Sequence, residues 1–168
     1  MVCDGMLLVE STPQPVHSAH ATGRFRPIAA CRYRKIHMDS RSLDGYTPPQ
    51  NRAELEQRYA AGERCFPNTD LSDEDLSGIK LDGADFEKHS WFSDADFSGA
   101  SLRGTSFREC NLKCVNFSNC DLTGAILERA AIESIKAKGA AVAGVKVRGA
   151  TFYGCELAEG DELPSWEW

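Results

Sequence analysis

From Leu102 a large apolar side chain returns at every fifth position: Leu102, Phe107, Leu112, Phe117, Leu122, Leu127, Ile132. A helix buries one face every 3.6 residues and a strand every 2, so a strict five fits neither. A backbone with one inward large residue per five must turn after each unit and repeat the turn many times. Followed in both directions, the frame runs from Phe66 to Phe86 and from Phe92 to Leu157, 19 units in all. The segment 87–92, EKHSWF, carries one inserted residue. Two positions before most large residues stands a small one, for example Ala84, Ala95, Ala100, Cys110, Cys120, Ala130 and Cys155. At Ile135 and Ala137 the small and large positions are exchanged, a volume-conserving swap between core neighbours.

The pattern small-polar-large-x-x in ADFSG (95–99), CNLKC (110–114) and CDLTG (120–124) resembles the pentapeptide-repeat family. That resemblance implies an all-β fold, a right-handed quadrilateral β-helix of about five coils with four units to the coil. At about 4.8 Å per coil the repeat would be about 23 Å long. Stacked positions should then recur every 20 residues, or every 21 across the insertion. Two independent columns agree. The residue after the large one reads Glu87, Arg108, Glu128, Arg148, and the next position reads Lys88, Glu109, Arg129, with signs alternating up each ladder. A further column is Gly83, Gly104, Gly124, Gly144, as expected where a type II turn needs φ > 0 at its third residue.

The ends of such a repeat need covering. Asn51 with Glu54 forms a capping-box pattern, Leu55 and Tyr59 an apolar pair, and Gly62 a stop; the spacing predicts a short helix over 52–61 lying on the first coil. At the other end Trp166 and Trp168, one acid apart, read as a lid over the last coil, with a two-fold end-to-end dimer as the alternative. Residues 1–50 lack any period and read as a disordered tail or a non-native extension, Met38 being an alternative start. The expected organisation is thus 1–50 tail, 51–65 capping helix, 66–157 repeat, and 158–168 C-terminal cap or dimer contact.

Chemistry is sparse. No Walker loop, GxSxG, HExxH or dinucleotide fingerprint occurs, so neither catalysis, a cofactor nor a metal is expected. His17, His20 and His37 lie in the tail. His89 and Trp91 fall in the inserted segment and read as an exposed bulge. The 7 cysteines, without paired spacing, read as reduced thiols, with Cys110, Cys120 and Cys155 in the small inward slot and Cys114 on a turn. Neither a secretory signal nor an apolar run of membrane-spanning length is evident, which points to the cytoplasm.

A net charge of -6 argues against direct nucleic-acid binding. The charge is banded: residues 70–96 sum to -7, 97–128 to zero, 129–148 to +4 and 149–168 to -5. By the stacking rule Asp73 lies under Asp94 and Asp75 under Asp96, with Asp70 close by, and these five are the candidate contacts for a basic partner or a cation. The resemblance implies a non-enzymatic scaffold with a protein partner. An alternative is a DNA mimic acting on a type II topoisomerase such as gyrase, as in the quinolone-resistance members. The +4 band interrupts the negative stripe that mimicry would need.

Overall fold

A computed structural model describes residues 45–87 and 89–163 of the chain. Within it each unit makes one extended residue and one tight turn. In the turn, the carbonyl of the large residue accepts from the N–H three positions on, as in Ala95 N to Phe92 O (3.0 Å) and Ala125 N to Leu122 O (2.8 Å). The third residue of each described turn has a left-handed backbone, from φ 54° at Asn68 to φ 73° at Gly149. Glycine takes this freely, which accounts for the column Gly83, Gly104, Gly124, Gly144. Elsewhere Asp73, Glu109, Cys114, Arg129 and Ser134 adopt it, at a cost of roughly 1–2 kcal/mol each. The stacking offsets that cost at four of them, because Asp73, Glu109, Cys114 and Arg129 donate across the coils, for example Cys114 N to Glu133 O at 2.9 Å.

The residue ahead of each large one pairs in parallel with its counterpart one coil away. Among the described residues these bridges form four ladders: Cys65–Asp85–Ser106–Ile126–Lys146, Asp70–Trp91–Asn111–Ala131–Thr151, Asp75–Asp96–Asn116–Lys136 and Lys80–Ser101–Asp121–Ala141. Bridges that span the insertion are 21 residues long, as in Asp70 to Trp91, and those on either side are 20, as in Asn111 to Ala131. The fold is a repeat β-helix, with the slip at the predicted place.

Inside, Phe66, Phe86 and Phe107 stack face to face with centroids 5.4 and 5.5 Å apart, and Phe97 on Phe117 at 5.7 Å. The small slot also takes polar groups whose hydrogen bonds close on the coil itself. Thr69 and Thr105 donate to Phe66 O and Leu81 O, each at 2.8 Å. Each satisfied hydroxyl avoids the penalty of an unpaired buried polar group. Ile135 and Ala137 are both buried, so the exchanged pair packs inward at both positions.

At the N-terminal side, α1 spans Arg52–Ala60, with the Asn51 side chain accepting from Glu54 N at 3.0 Å. The Glu54 carboxylate reaches back one residue further than a capping box would place it, to Gln50 N at 3.1 Å. Leu55 is buried, Tyr59 donates to Asp82 O (2.9 Å) and Arg52 to Asp75 O (3.1 Å), so α1 rests on the first coil. The expectation that 1–50 is an unpacked tail is corrected at residues 45–50. Pro49 is buried, Tyr46 donates to Cys65 O at 3.3 Å, and the Arg58 guanidinium lies 5.0 Å over the Tyr46 ring. Tyr46 and Pro49 supply apolar surface that no periodicity announces. The rest of that segment, Met38 included, lies outside the described residues, as do Lys88, Trp166 and Trp168.

The C-terminal end departs from the frame. β1 (Thr151–Phe152) and β2 (Cys155–Glu156) form an antiparallel hairpin, Thr151 opposite Glu156 and Phe152 opposite Cys155. Its two-residue turn, Tyr153 at φ 46° and Gly154 at φ 80°, is left-handed at both positions, the geometry that reverses a strand pair. Leu157 is therefore not the centre of a further coil side. It returns against the last one, donating to Ala150 O at 2.9 Å while its carbonyl accepts from Gly149 N at 2.7 Å. Cys155 is consequently exposed, not inward, whereas Cys110 and Cys120 are buried as expected. The expectation of reduced thiols also fails at half-exposed Cys65, which is disulfide-bonded. Among the described residues no helix is long and apolar enough to cross a membrane.

Candidate functional site

The five candidate acids divide between two adjacent sides of the coil. Asp70 begins the ladder that continues through Trp91, and its carboxylate is held by Ser72, accepting from N at 3.2 Å and from Oγ at 2.8 Å. Asp75 and Asp96 are bridge partners on the next side. Between them, Asp73 (φ 61°) and Asp94 (φ 60°) occupy the shared corner, each with its N–H donated one coil on, to Ser93 O and Lys113 O at 2.9 Å.

The acids are not equivalent. Asp75 has a cation nearby, Arg52 Nη1 at 3.7 Å, reaching over from α1. Hydrogen bonds from Ser77, with a smaller contribution from Arg52, hold its carboxyl below the usual aspartate range. Asp96 accepts from Ser98 N (2.8 Å) and Asn116 Nδ2 (3.1 Å). Asp73 and Asp94 are exposed, and among the described residues no base pairs with Asp70, Asp73 or Asp94. Nor do the acids converge: among the described residues no group of three or more His, Cys, Asp or Glu is placed to hold a metal ion. The arrangement is an acidic corner, open outward.

His89 and Trp91 separate. His89, exposed with φ 59°, belongs to the inserted turn. Trp91 is not part of a bulge, because it has rejoined the ladder between Asp70 and Asn111. Trp91 is 51% exposed, paired with Asp70 and on the side that ends at the Asp94 corner. Sequence reasoning missed two features here. Arg52 arrives from α1 over Asp75, a contact that no spacing reveals. The ladder Asp75–Asp96–Asn116–Lys136 also changes sign along a single side, which the 20-residue column does contain.

Cys114 is exposed at its corner, whereas Cys110 and Cys120 are buried, and burial raises the Cys110 thiol and pushes Cys120 up to about 12. Lys113 lies 3.5 Å from Glu133, next to Cys114 in sequence.

The repeat, the four ladders and the left-handed corners agree with the comparison to known proteins. A family model for pentapeptide repeats matches residues 92–129 in eight copies. A thylakoid-lumen pentapeptide repeat protein from Arabidopsis thaliana is 30% identical over 50% of this chain and 68% of its own, with a TM-score of 0.35. The chain belongs to the pentapeptide-repeat family. This pentapeptide-repeat chain is also similar to a family member from Nostoc PCC 7120, 28% identical over 70% of this chain and 93% of that one, TM-score 0.49. QnrB1, a plasmid-mediated fluoroquinolone resistance protein, is 26% identical over 53% and 52%, TM-score 0.26. No curated protein matches the chain.

Proposed function

We propose that this pentapeptide-repeat protein is a non-enzymatic scaffold that binds a protein partner through the side carrying Trp91 and the Asp73–Asp94 corner. The observation that supports it is the exposure of Trp91, 51%, on a ladder whose other members are Asp, Asn, Ala and Thr. The backbone carrying this exposed indole is held by the ladder, so docking on it costs little backbone entropy. Asp70, Asp73 and Asp94 rim it without a basic partner among the described residues, which suits a partner that brings Arg or Lys.

The test is a comparison of captured partners. Trp91→Ala and the double variant Asp73→Asn/Asp94→Asn are set against wild type and against Arg103→Ala, which alters another side. Loss of one specific partner in the first two, with retention in the third and unchanged circular dichroism, supports the reading. Equal capture by all four would sink it. The gyrase-mimic alternative makes a different prediction: inhibition of supercoiling, abolished by neutralising Asp73, Asp75, Asp94 and Asp96. The sign change from Asp75 and Asp96 to Lys136 along one ladder counts against it, because a mimic of DNA needs evenly spaced negative charge.

A further inference from the structure

Three large apolar side chains are exposed among the described residues: Trp91, Val142 and Tyr153, the last at 62%. Trp91 and Tyr153 stand on the same side of the coil. The ladder climbs from Trp91 through Asn111 and Ala131 to Thr151, and Tyr153 follows two residues later. At about 4.8 Å per rung the two aromatic positions are roughly 15 Å apart. Between them Asn111, Ala131 and Thr151 are shorter and half-buried, which leaves a shallow trough with a ring at each end.

Charge divides this trough. Asp70, Asp73 and Asp94 lie at its Trp91 end without a basic partner among the described residues. Farther along, Lys113 and Glu133 are 3.5 Å apart and offset one another. The backbone of the ladder is already paired. Trp91 N, Asn111 N and Ala131 N donate to Thr69 O, Ser90 O and Cys110 O, while their own carbonyls accept from Leu71 N, Phe92 N and Leu112 N. Side-chain donors remain. Asn111 Oδ1 accepts from Lys113 N at 3.2 Å, and its Nδ2, like the Trp91 indole N–H, has no acceptor among the described residues.

We propose that the partner enters this trough as an extended polyproline segment with Arg or Lys at the end that meets Trp91, a proposal that rests on the Trp91 side being the docking face. Proline brings carbonyl acceptors and no N–H, which suits a surface with side-chain donors and no free backbone acceptor. The polyproline helix is already extended, and its rings pack on aromatic side chains. At about 3.1 Å per residue, roughly five residues span the distance from Trp91 to Tyr153. A guanidinium over the indole, next to the three acids, fixes the direction in which the segment lies.

The capped heptapeptide RRPPPPP tests this by NMR titration of the full chain, with EEPPPPP and RRGSGSG as controls. RRPPPPP should shift the Trp91 indole and Tyr153 ring signals together and bind at least about tenfold more tightly than either control. Trp91→Ala and Tyr153→Ala should each weaken it at least about fivefold. If Tyr153→Ala disturbs the hairpin, the wild-type shifts alone decide. Shifts confined to the acidic corner, or equal affinity for RRGSGSG, would reduce the contact to charge and overturn the proposal. So would the absence of shifts at millimolar RRPPPPP. Broadening of both aromatic signals on concentrating the protein without peptide would make a second copy the occupant, and overturn it too. Failure with the peptides leaves the scaffold reading standing if Trp91→Ala still loses its captured partner. Capture indifferent to Trp91→Ala removes both.

Discussion

Arg108 sits between two carboxylates of the repeat. Its Nη1 lies 3.1 Å from Glu87 Oε1 and its Nη2 2.7 Å from Glu128 Oε2, with Nε also bonded to Glu128 at 3.1 Å. The three side chains are only 27–35% exposed, so solvent weakens the pairs without erasing them. Stacked opposite charges contribute roughly 0.2–1 kcal/mol each, and like charges oppose stacking by a similar amount. Arg108→Glu removes two attractions and creates two repulsions, giving a loss of about 2 kcal/mol. Arg108→Met, which keeps the aliphatic packing, should cost about half of that. Urea unfolding is the assay, because guanidinium would itself screen the charges. With a slope of about 2 kcal/mol per molar, the Arg108→Glu midpoint should fall by about 1 M. In 1 M NaCl, where the screening length is about 3 Å, most of the difference between the two variants should vanish. The fully reversed ladder Glu87→Arg/Arg108→Glu/Glu128→Arg/Arg148→Glu should recover wild-type stability to within about 0.5 kcal/mol, since along the column only the signs have changed. If Arg108→Glu and Arg108→Met are equally stable at low salt, or if salt leaves their difference intact, the charge ladder does not stabilise the stack.

Three further outcomes are expected. Cys114→Gly should raise stability by about 0.5–1 kcal/mol in thermal unfolding, because glycine adopts the corner's φ of 59° without the steric cost that cysteine bears; a loss would show that the corner is unstrained. Alkylation of the native protein at pH 8, mapped by peptide, should label exposed Cys114 and Cys155 and spare Cys110 and Cys120, whose thiols burial pushes upward, and rapid labelling of Cys120 would contradict its place in the core. Ser77 holds the Asp75 carboxyl below its ordinary value, so this group stabilises the fold above the unfolded aspartate pKa of about 3.9 and loses that contribution as pH falls through the lower folded value. Ser77→Ala should raise the NMR titration midpoint of Asp75, and an unmoved midpoint would assign the depression to the Ser77 backbone N–H and Arg52 instead of the hydroxyl.

The repeat was legible because its information is redundant. Leu and Phe at every fifth position, small residues at the slot, and charge columns at 20 and 21 residues each specify the same coil, and the bridges reproduce it from Cys65 to Thr151. Corners were legible only in part. Glycine columns reveal a left-handed backbone, but Asp73, Glu109 and Arg129 adopt the same φ with no mark in their composition. Such residues are tolerated because the coils on either side fix the corner's hydrogen bonds, a tertiary effect that no five-residue window contains. The candidate site suffered likewise. Stacking placed Asp73 with Asp94 and Asp75 with Asp96, whereas the pairing of Asp75 with Arg52 depends on how α1 lies on the coil.

The C-terminal end shows why a persistent beat can mislead. Phe152 and Leu157 keep the interval of five, and both pack against the core, yet between them the chain reverses. A coil side and a returning strand both need one large apolar residue at this spacing, so the beat cannot tell them apart. What separates them is the residue directly after the large one. In the coil turns that position is not left-handed, but at Tyr153 φ is 46°, followed by Gly154 at 80°. Two left-handed residues in succession make a hairpin turn, and one makes a corner. A single backbone torsion therefore ends the repeat. It turns the chain after Gly154 back along the last side, where Leu157 pairs with Gly149 and Ala150 in place of a further coil.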